Sequence, residues 1–89
     1  MGKKLKGKVA VITGGGGGIG RSVALALAAE GVSIVVNDFN TGNADKAVAE
    51  IKKTKGNAVA NYNCVATVAS AQKIIKAAIS NFGRVDILV

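Results

Sequence analysis

Five consecutive glycines, Gly14 to Gly18, lie between Thr13 and the pair Ile19-Gly20. They are the residues of this chain best suited to binding chemistry. Glycine loses more conformational entropy on folding than any other residue, so such a run is costly unless bare backbone is needed. A flexible linker, a low-complexity stretch and a phosphate loop could each contain it. Only the phosphate loop requires a strand before it and a helix after it, so that free main-chain N–H groups meet the anion. Eighteen residues past Gly20 stands Asp38, a carboxylate able to accept hydrogen bonds from sugar hydroxyls. A phosphate cradle followed by such an acid describes a nucleotide site.

The glycines satisfy several frames. Gly15-x-Gly17-x-x-Gly20 fits the G-x-G-x-x-G fingerprint of dinucleotide sites, and Gly14-x-x-x-Gly18-x-Gly20 fits a variant spacing. Gly15-x-x-x-x-Gly20-Arg21-Ser22 approaches the nucleoside-triphosphate loop, but Arg21 stands where a compact lysine ammonium is required. A P-loop-like NTP binder is therefore the weaker alternative. The dinucleotide reading needs an acid about 20 residues on, at the end of the next strand, and Asp38 meets that need. Each charge-assisted bond from a ribose hydroxyl to this carboxylate contributes roughly 1.5–3 kcal/mol, and the same charge repels a 2′-phosphate. Asn37, Phe39 and Gly17 bring no positive charge, so NAD is expected in preference to NADP.

The elements that must hold these residues follow from hydrophobic pattern. Val9 to Thr13 is a short apolar run rich in β-branched residues, read as a buried strand. Ile19, Val23 and Leu27 repeat every four residues among alanines and give a helix closing at Gly31. Ser33 to Asp38 is a second buried strand. Asn40-Thr-Gly-Asn43 supplies turn and capping residues, and Ala44, Ala47, Val48 and Ile51 mark a second helix closing at Gly56. Asn57 to Asn61 gives a third strand. Ala71, Ile75, Ala78 and Phe82 give a third helix from about Val68 to Phe82, stopped by Gly83, and Val85 to Val89 begins a fourth strand. Continuous apolar strands alternating with helices predict an α/β fold, a doubly wound parallel sheet in the order βαβαβαβ.

Composition narrows the function classes. Hydrophobic residues make up 49% of the 89, enough to fill one small core. There is no histidine and one cysteine, Cys64, so no metal site is expected. A single cysteine suits a reducing, cytoplasmic compartment. No apolar run is long enough to span a membrane, and MGKKLKGK leads directly into a strand, so neither a signal peptide nor a membrane partner is expected. The net charge of +7 raises the possibility of nucleic-acid binding. With aromatics limited to Phe39, Tyr62 and Phe82, no stacking platform supports it, and a solvated basic surface is expected.

Lys6-Gly-Lys-Val-Ala-Val-Ile-Thr-Gly14, Gly18-Ile-Gly-Arg21, Asn37-Asp38 and Phe82-Gly-Arg-Val-Asp-Ile-Leu-Val89 together resemble the short-chain dehydrogenase/reductase family over essentially the whole chain. Val36-Asn-Asp38 with Ala60-Asn-Tyr-Asn63 looks most like the dehydrogenase unit of type 2 multifunctional β-oxidation enzymes, and 3-oxoacyl carrier-protein reductases share the rest. The family's T-G-x-x-x-G-x-G motif selects Gly14, Gly18 and Gly20, with the Ile19 backbone meeting the pyrophosphate. Gly15, Gly16 and Gly17 then fall at positions where the family tolerates larger residues. The family's adenine-side Asp matches Asn63, or Cys64 if the alignment slips by one.

The resemblance implies hydride transfer between nicotinamide and a secondary alcohol or ketone, such as a 3-hydroxyacyl or 3-oxoacyl thioester. The family's catalytic Ser and Tyr-x-x-x-Lys have no counterpart here, because Tyr62 is the single tyrosine and Ala66 stands four places after it. The expectation is an NAD-binding segment spanning 1–89, interrupted in the fourth strand, without catalytic residues and inactive alone. A structural remnant is the competing reading, and homo-oligomers are expected of a full-length form.

Overall fold

The computed structural model describes residues 5–63 and 67–89; Cys64 lies outside them. Seven elements alternate: β1 (Val9–Thr13), α1 (Gly18–Ala29), β2 (Ser33–Asn37), α2 (Thr41–Lys53), β3 (Ala58–Asn61), α3 (Val68–Phe82) and β4 (Ile87–Leu88). The strands form one parallel sheet in the order β3-β2-β1-β4. The chain steps outward from β1 to β3, and α3 then carries it back so that β4 pairs with the free side of β1. This reversal creates a topological switch point between β1 and β4, where doubly wound sheets open a crevice at their carboxyl edge.

Side chains alternate across the strands and divide the core in two. Ala10, Ile12, Ile34, Val36 and Ala58 meet Ala24 and Ala28 of α1 and Ala44, Ala47 and Ile51 of α2. Val9, Val11 and Val35 meet Ile74 and Ala78 of α3 on the other face. Alanines at the helix contacts let α1 and α2 lie close to the sheet. The doubly wound fold expected from the pattern is thus the one observed.

Several local expectations shift. β2 closes at Asn37, so Asp38 is the first residue beyond the strand. Asn40 caps α2, which places Gly42 and Asn43 inside the helix. α2 ends at Lys53, and Lys55 takes the left-handed conformation there. Gly56 instead makes a close approach, because a Cβ on it would lie 2.7 Å from Ile51 Cγ2. On α3 the buried residues are Ile74 and Ala78, and the expected Ile75 is half-buried. The apolar stripe of α3 is wider than the sheet it covers, so Val68 and Ile79 on its flank are exposed.

Asp86 joins β4 to the start of β1. Its Oδ2 accepts the Val9 N–H at 2.9 Å and Arg84 Nε–H at 2.8 Å, while Oδ1 accepts Arg84 Nη2–H at 2.7 Å. The Arg84 guanidinium first, and the Val9 N–H second, hold this carboxyl below its ordinary value. A carboxyl depressed on folding stabilises the fold above its unfolded pKa, and the contribution is lost as pH falls through the folded value. Asp86→Asn is therefore expected to lower the melting temperature at neutral pH and to flatten its decline in acid. Thermal melts across a pH series check this; an unchanged acid limb would show that Asp86 contributes nothing to it.

Candidate functional site

The glycine run forms the loop from β1 to α1. Gly14 and Gly18 have φ of +63° and +54°, the left-handed region that penalises any side chain. Gly20 is fixed by space: a Cβ there would lie 2.4 Å from the Gly14 carbonyl oxygen. The first turn of α1 therefore rests directly on the loop backbone.

Gly15 and Gly16 are not the permissive positions the motif suggested. Both are buried. A Cβ on Gly15 would stand 2.8 Å from the Ile12 carbonyl oxygen, and one on Gly16 would stand 2.7 Å from Ala44 N and 2.8 Å from Asp38 Oδ2. The loop is folded down onto the end of β1 and against the first turn of α2, and this removes the space. Gly17 alone of the three is permissive, with only Asn43 Nδ2 near, at 3.7 Å. Gly16→Ala is expected to cost about 1–3 kcal/mol through overpacking, and Gly17→Ala close to nothing. Paired thermal melts test the contrast, and equal losses would contradict it.

Helix α1 begins without a side-chain cap, whereas Asn40 caps α2 and Thr67 caps α3. The N–H groups of Gly18, Ile19 and Gly20 precede the first intrahelical bond, from Arg21 N to the Gly17 carbonyl at 3.2 Å. They are left for an outside acceptor, at the positive end of the helix dipole. Ile19 does not continue the Val23 and Leu27 stripe into the core; it is 84% exposed at the mouth of the loop. Arg21 turns away to pair with Glu50 on α2 through Nε, at 2.9 Å from Oε1, and through Nη2. A guanidinium committed to α2 does not act as a triphosphate-loop lysine.

Asp38 sits beside this loop. Its Oδ2 accepts the Gly16 N–H at 3.2 Å and its Oδ1 accepts the Asn40 N–H at 3.0 Å. Its hydrogen-bond partners among the described residues are backbone amides, with no cationic side chain. Asn37 is 3% exposed, and its carbonyl accepts the Gly15 N–H at 2.9 Å. Its side-chain amide donates to the Asn63 carbonyl at 2.7 Å and to Asn61 Oδ1 at 3.0 Å. Asn63 is thereby held at the end of β3, next to the end of β2. Tyr62 hydrogen-bonds Asp45 at 2.5 Å on the outer flank, a contact that raises its phenol pKa.

The carboxyl edge thus reads in sequence across the sheet. Uncapped amides stand at β1, a carboxylate at β2 and an amide-bearing loop at β3. Gly14, Gly18, Ile19, Gly20, Asp38 and Asn63 are brought together, while Cys64 falls outside the described residues. Sequence reasoning missed the parts played by Asn37, Gly15 and Gly16. A polar residue closing the apolar run Ile34-Val-Val36 was the available signal for Asn37.

A hollow of about 650 Å³ lies at the opposite edge among Lys6, Ala28, Glu30, Gly31, Lys55 and Gly56. The carboxyl ends of α1 and α2, the negative ends of their dipoles, border it. A hollow of about 330 Å³ at the switch point is lined by Thr13, Ala71, Ile74, Ile75, Leu88 and Val89. Among the described residues no helix is long and apolar enough to cross a membrane, and no group of three acidic or sulfur ligands gathers for a metal ion. Free amides, a loop closed to a Cβ at Gly15, Gly16 and Gly20, and a carboxylate with no cationic partner among the described residues fit an anionic dinucleotide.

Comparison with known proteins agrees with this geometry. Residues 8–89 match the short chain dehydrogenase family. The chain is 41% identical over 95 residues to the Mus musculus peroxisomal multifunctional enzyme type 2, covering 97% of this chain and 12% of that protein. It is 48% identical over 93 residues to the Saccharomyces cerevisiae peroxisomal hydratase-dehydrogenase-epimerase, covering 94% of this chain and 10% of that protein. A 7α-hydroxysteroid dehydrogenase solved with NADH and 7-oxo glycochenodeoxycholic acid superposes with a TM-score of 0.91 at 40% identity, over 94% of this chain and 33% of that one. The chain therefore spans a third or less of the length of these proteins. With this match running through every element of the sheet, the chain belongs to the short chain dehydrogenase family.

Proposed function

We propose that residues 1–89 form an NAD-binding segment of a short-chain dehydrogenase, with the dinucleotide lying along the carboxyl edge of the sheet. One observation carries this reading: the Asp38 carboxylate stands against Gly16, beside the uncapped start of α1. The N–H groups of Gly18, Ile19 and Gly20 would hold the pyrophosphate, with Gly14 shaping the turn beneath them. Asp38 would accept the ribose hydroxyls, and Asn63 and Cys64 would border the adenine. The absence of a cationic partner for Asp38 among the described residues supports NAD over NADP. The complex of a structural relative with NADH is consistent with this.

When bound, the nicotinamide accepts or supplies a hydride. By family membership the reaction is oxidation of a secondary alcohol or its reverse, with a 3-hydroxyacyl or 3-oxoacyl thioester as one candidate substrate. Tyr62 is not followed by the family's lysine, so the 89 residues alone are proposed to bind NAD and not to turn over substrate. Homo-oligomers are proposed for the full-length form. We retain a reducing, cytoplasmic location, although relatives carry peroxisomal names; import into peroxisomes in a fractionation experiment would overturn it. Calorimetric titration with NAD, NADP and ATP with Mg²⁺ tests the function. NAD is expected to bind most tightly, and preference for ATP with Mg²⁺ would replace this reading with the triphosphate one.

A further inference from the structure

Asn37 is a buried polar residue at the end of an otherwise apolar strand. Left unpaired, such a group destabilises the fold, so its retention calls for a reason. Its side-chain amide donates to oxygens of two residues beyond its own strand. These are the Asn63 carbonyl at 2.7 Å and Asn61 Oδ1 at 3.0 Å. Asn61 Oδ1 also accepts the Asn63 N–H at 3.0 Å. Asn63 lies beyond the end of β3, and among the described residues this network holds it. Through its main chain Asn37 also accepts the Gly15 N–H at 2.9 Å. One residue therefore ties the phosphate loop, by backbone, to the loop after β3, by side chain.

We propose that Asn37 is a positioning residue that sets the purine end of the bound dinucleotide by fixing Asn63 beside Asp38. This rests on the NAD reading above. Phosphate is met at β1 and ribose at β2, so the base extends to the end of β3, one strand spacing further on. Removing the Asn37 side chain frees Asn63 while leaving the backbone link to Gly15 intact. The loss therefore falls on the base and not on the phosphate.

The test compares AMP with ribose 5-phosphate, titrated into the 89-residue chain by calorimetry. The dissociation constant of ribose 5-phosphate divided by that of AMP reads the contribution of the base alone. Asn37→Ala is expected to reduce that ratio about tenfold, the equivalent of one or two hydrogen bonds, with ribose 5-phosphate binding unchanged. Asn61→Ala, which removes the oxygen shared by Asn37 and Asn63, is expected to move the ratio the same way. It decides the matter if Asn37→Ala does not fold. A purely structural role would weaken both ligands by one factor or neither, and either result overturns the proposal. If the unmodified chain binds neither ligand, the NAD reading falls and the positioning role with it. If it binds both and the ratio does not move in the variants, only the positioning role falls.

Discussion

Gly20→Ala is expected to weaken NAD binding about a hundredfold and to destabilise the fold by about 3 kcal/mol. Helix propensity argues the other way, since alanine inside a helix gains roughly 1 kcal/mol over glycine. Packing decides, because the added Cβ would lie 2.4 Å from the Gly14 carbonyl oxygen and 3.2 Å from Gly15 Cα. Those atoms are backbone and cannot rotate aside. Overpacking of this kind costs typically about 1–3 kcal/mol, and a clash with main chain belongs at the upper end. For a domain of this size the melting temperature should fall by roughly 10–20 °C. The first turn of α1 is pushed off the loop, and the amides of Gly18 and Ile19 leave their place. Losing two charge-assisted bonds gives the hundredfold figure, at about 1.5 kcal/mol each. Thermal melts and calorimetry measure both effects, with Gly17→Ala as the neighbouring substitution that leaves both unchanged.

Asp38→Ala is expected to weaken NAD binding at least roughly tenfold for each ribose hydroxyl bond lost, and to weaken NADP much less. The carboxylate supplies attraction to hydroxyls and repulsion to a 2′-phosphate, so its removal compresses the preference from both directions. Asp38 also accepts the N–H groups of Gly16 and Asn40, so the alanine variant loosens the loop as well. Asp38→Asn separates the two effects. One amide oxygen retains an acceptor for a backbone N–H, while the charge is gone. The variants should therefore share the loss of NAD preference and differ in melting temperature. Calorimetry with both dinucleotides checks this, and an unchanged preference in Asp38→Asn would show that charge at Asp38 does not select the cofactor.

What could be read from the sequence, and what could not, divides along the range of the interaction. β1, α1 and β2 follow from local pattern, and Gly14, Gly18 and Gly20 follow from a motif whose constraints lie within the loop itself. Gly16 is constrained by Ala44 and Asp38, residues far along the chain, so no spacing rule exposes it. Asn37 is explained by Asn61 and Asn63, 24 and 26 residues away. Asp86 is explained by Val9, 77 residues away. Ile19 lies in the helix its spacing predicts and yet does not face the core. Its spacing to Val23 is helical, but the first turn of α1 projects beyond the sheet, so the position has no core to face. Periodicity gives the direction of a side chain along a helix. Tertiary placement gives what lies in that direction.

In the proposed complex NAD lies along the carboxyl edge from α1 to β3, with its ribose at Asp38. The most direct measurement is a titration of the isotopically labelled chain with NAD, following the backbone amide resonances. Shifts are expected only at Gly14 through Arg21, Asp38 through Asn40, and Asn61 through Cys64, with the Gly18 to Gly20 amides moving most. Shifts gathered instead around Glu30, Gly31 and Lys55 at the opposite edge, or no shifts at saturating NAD, would contradict it.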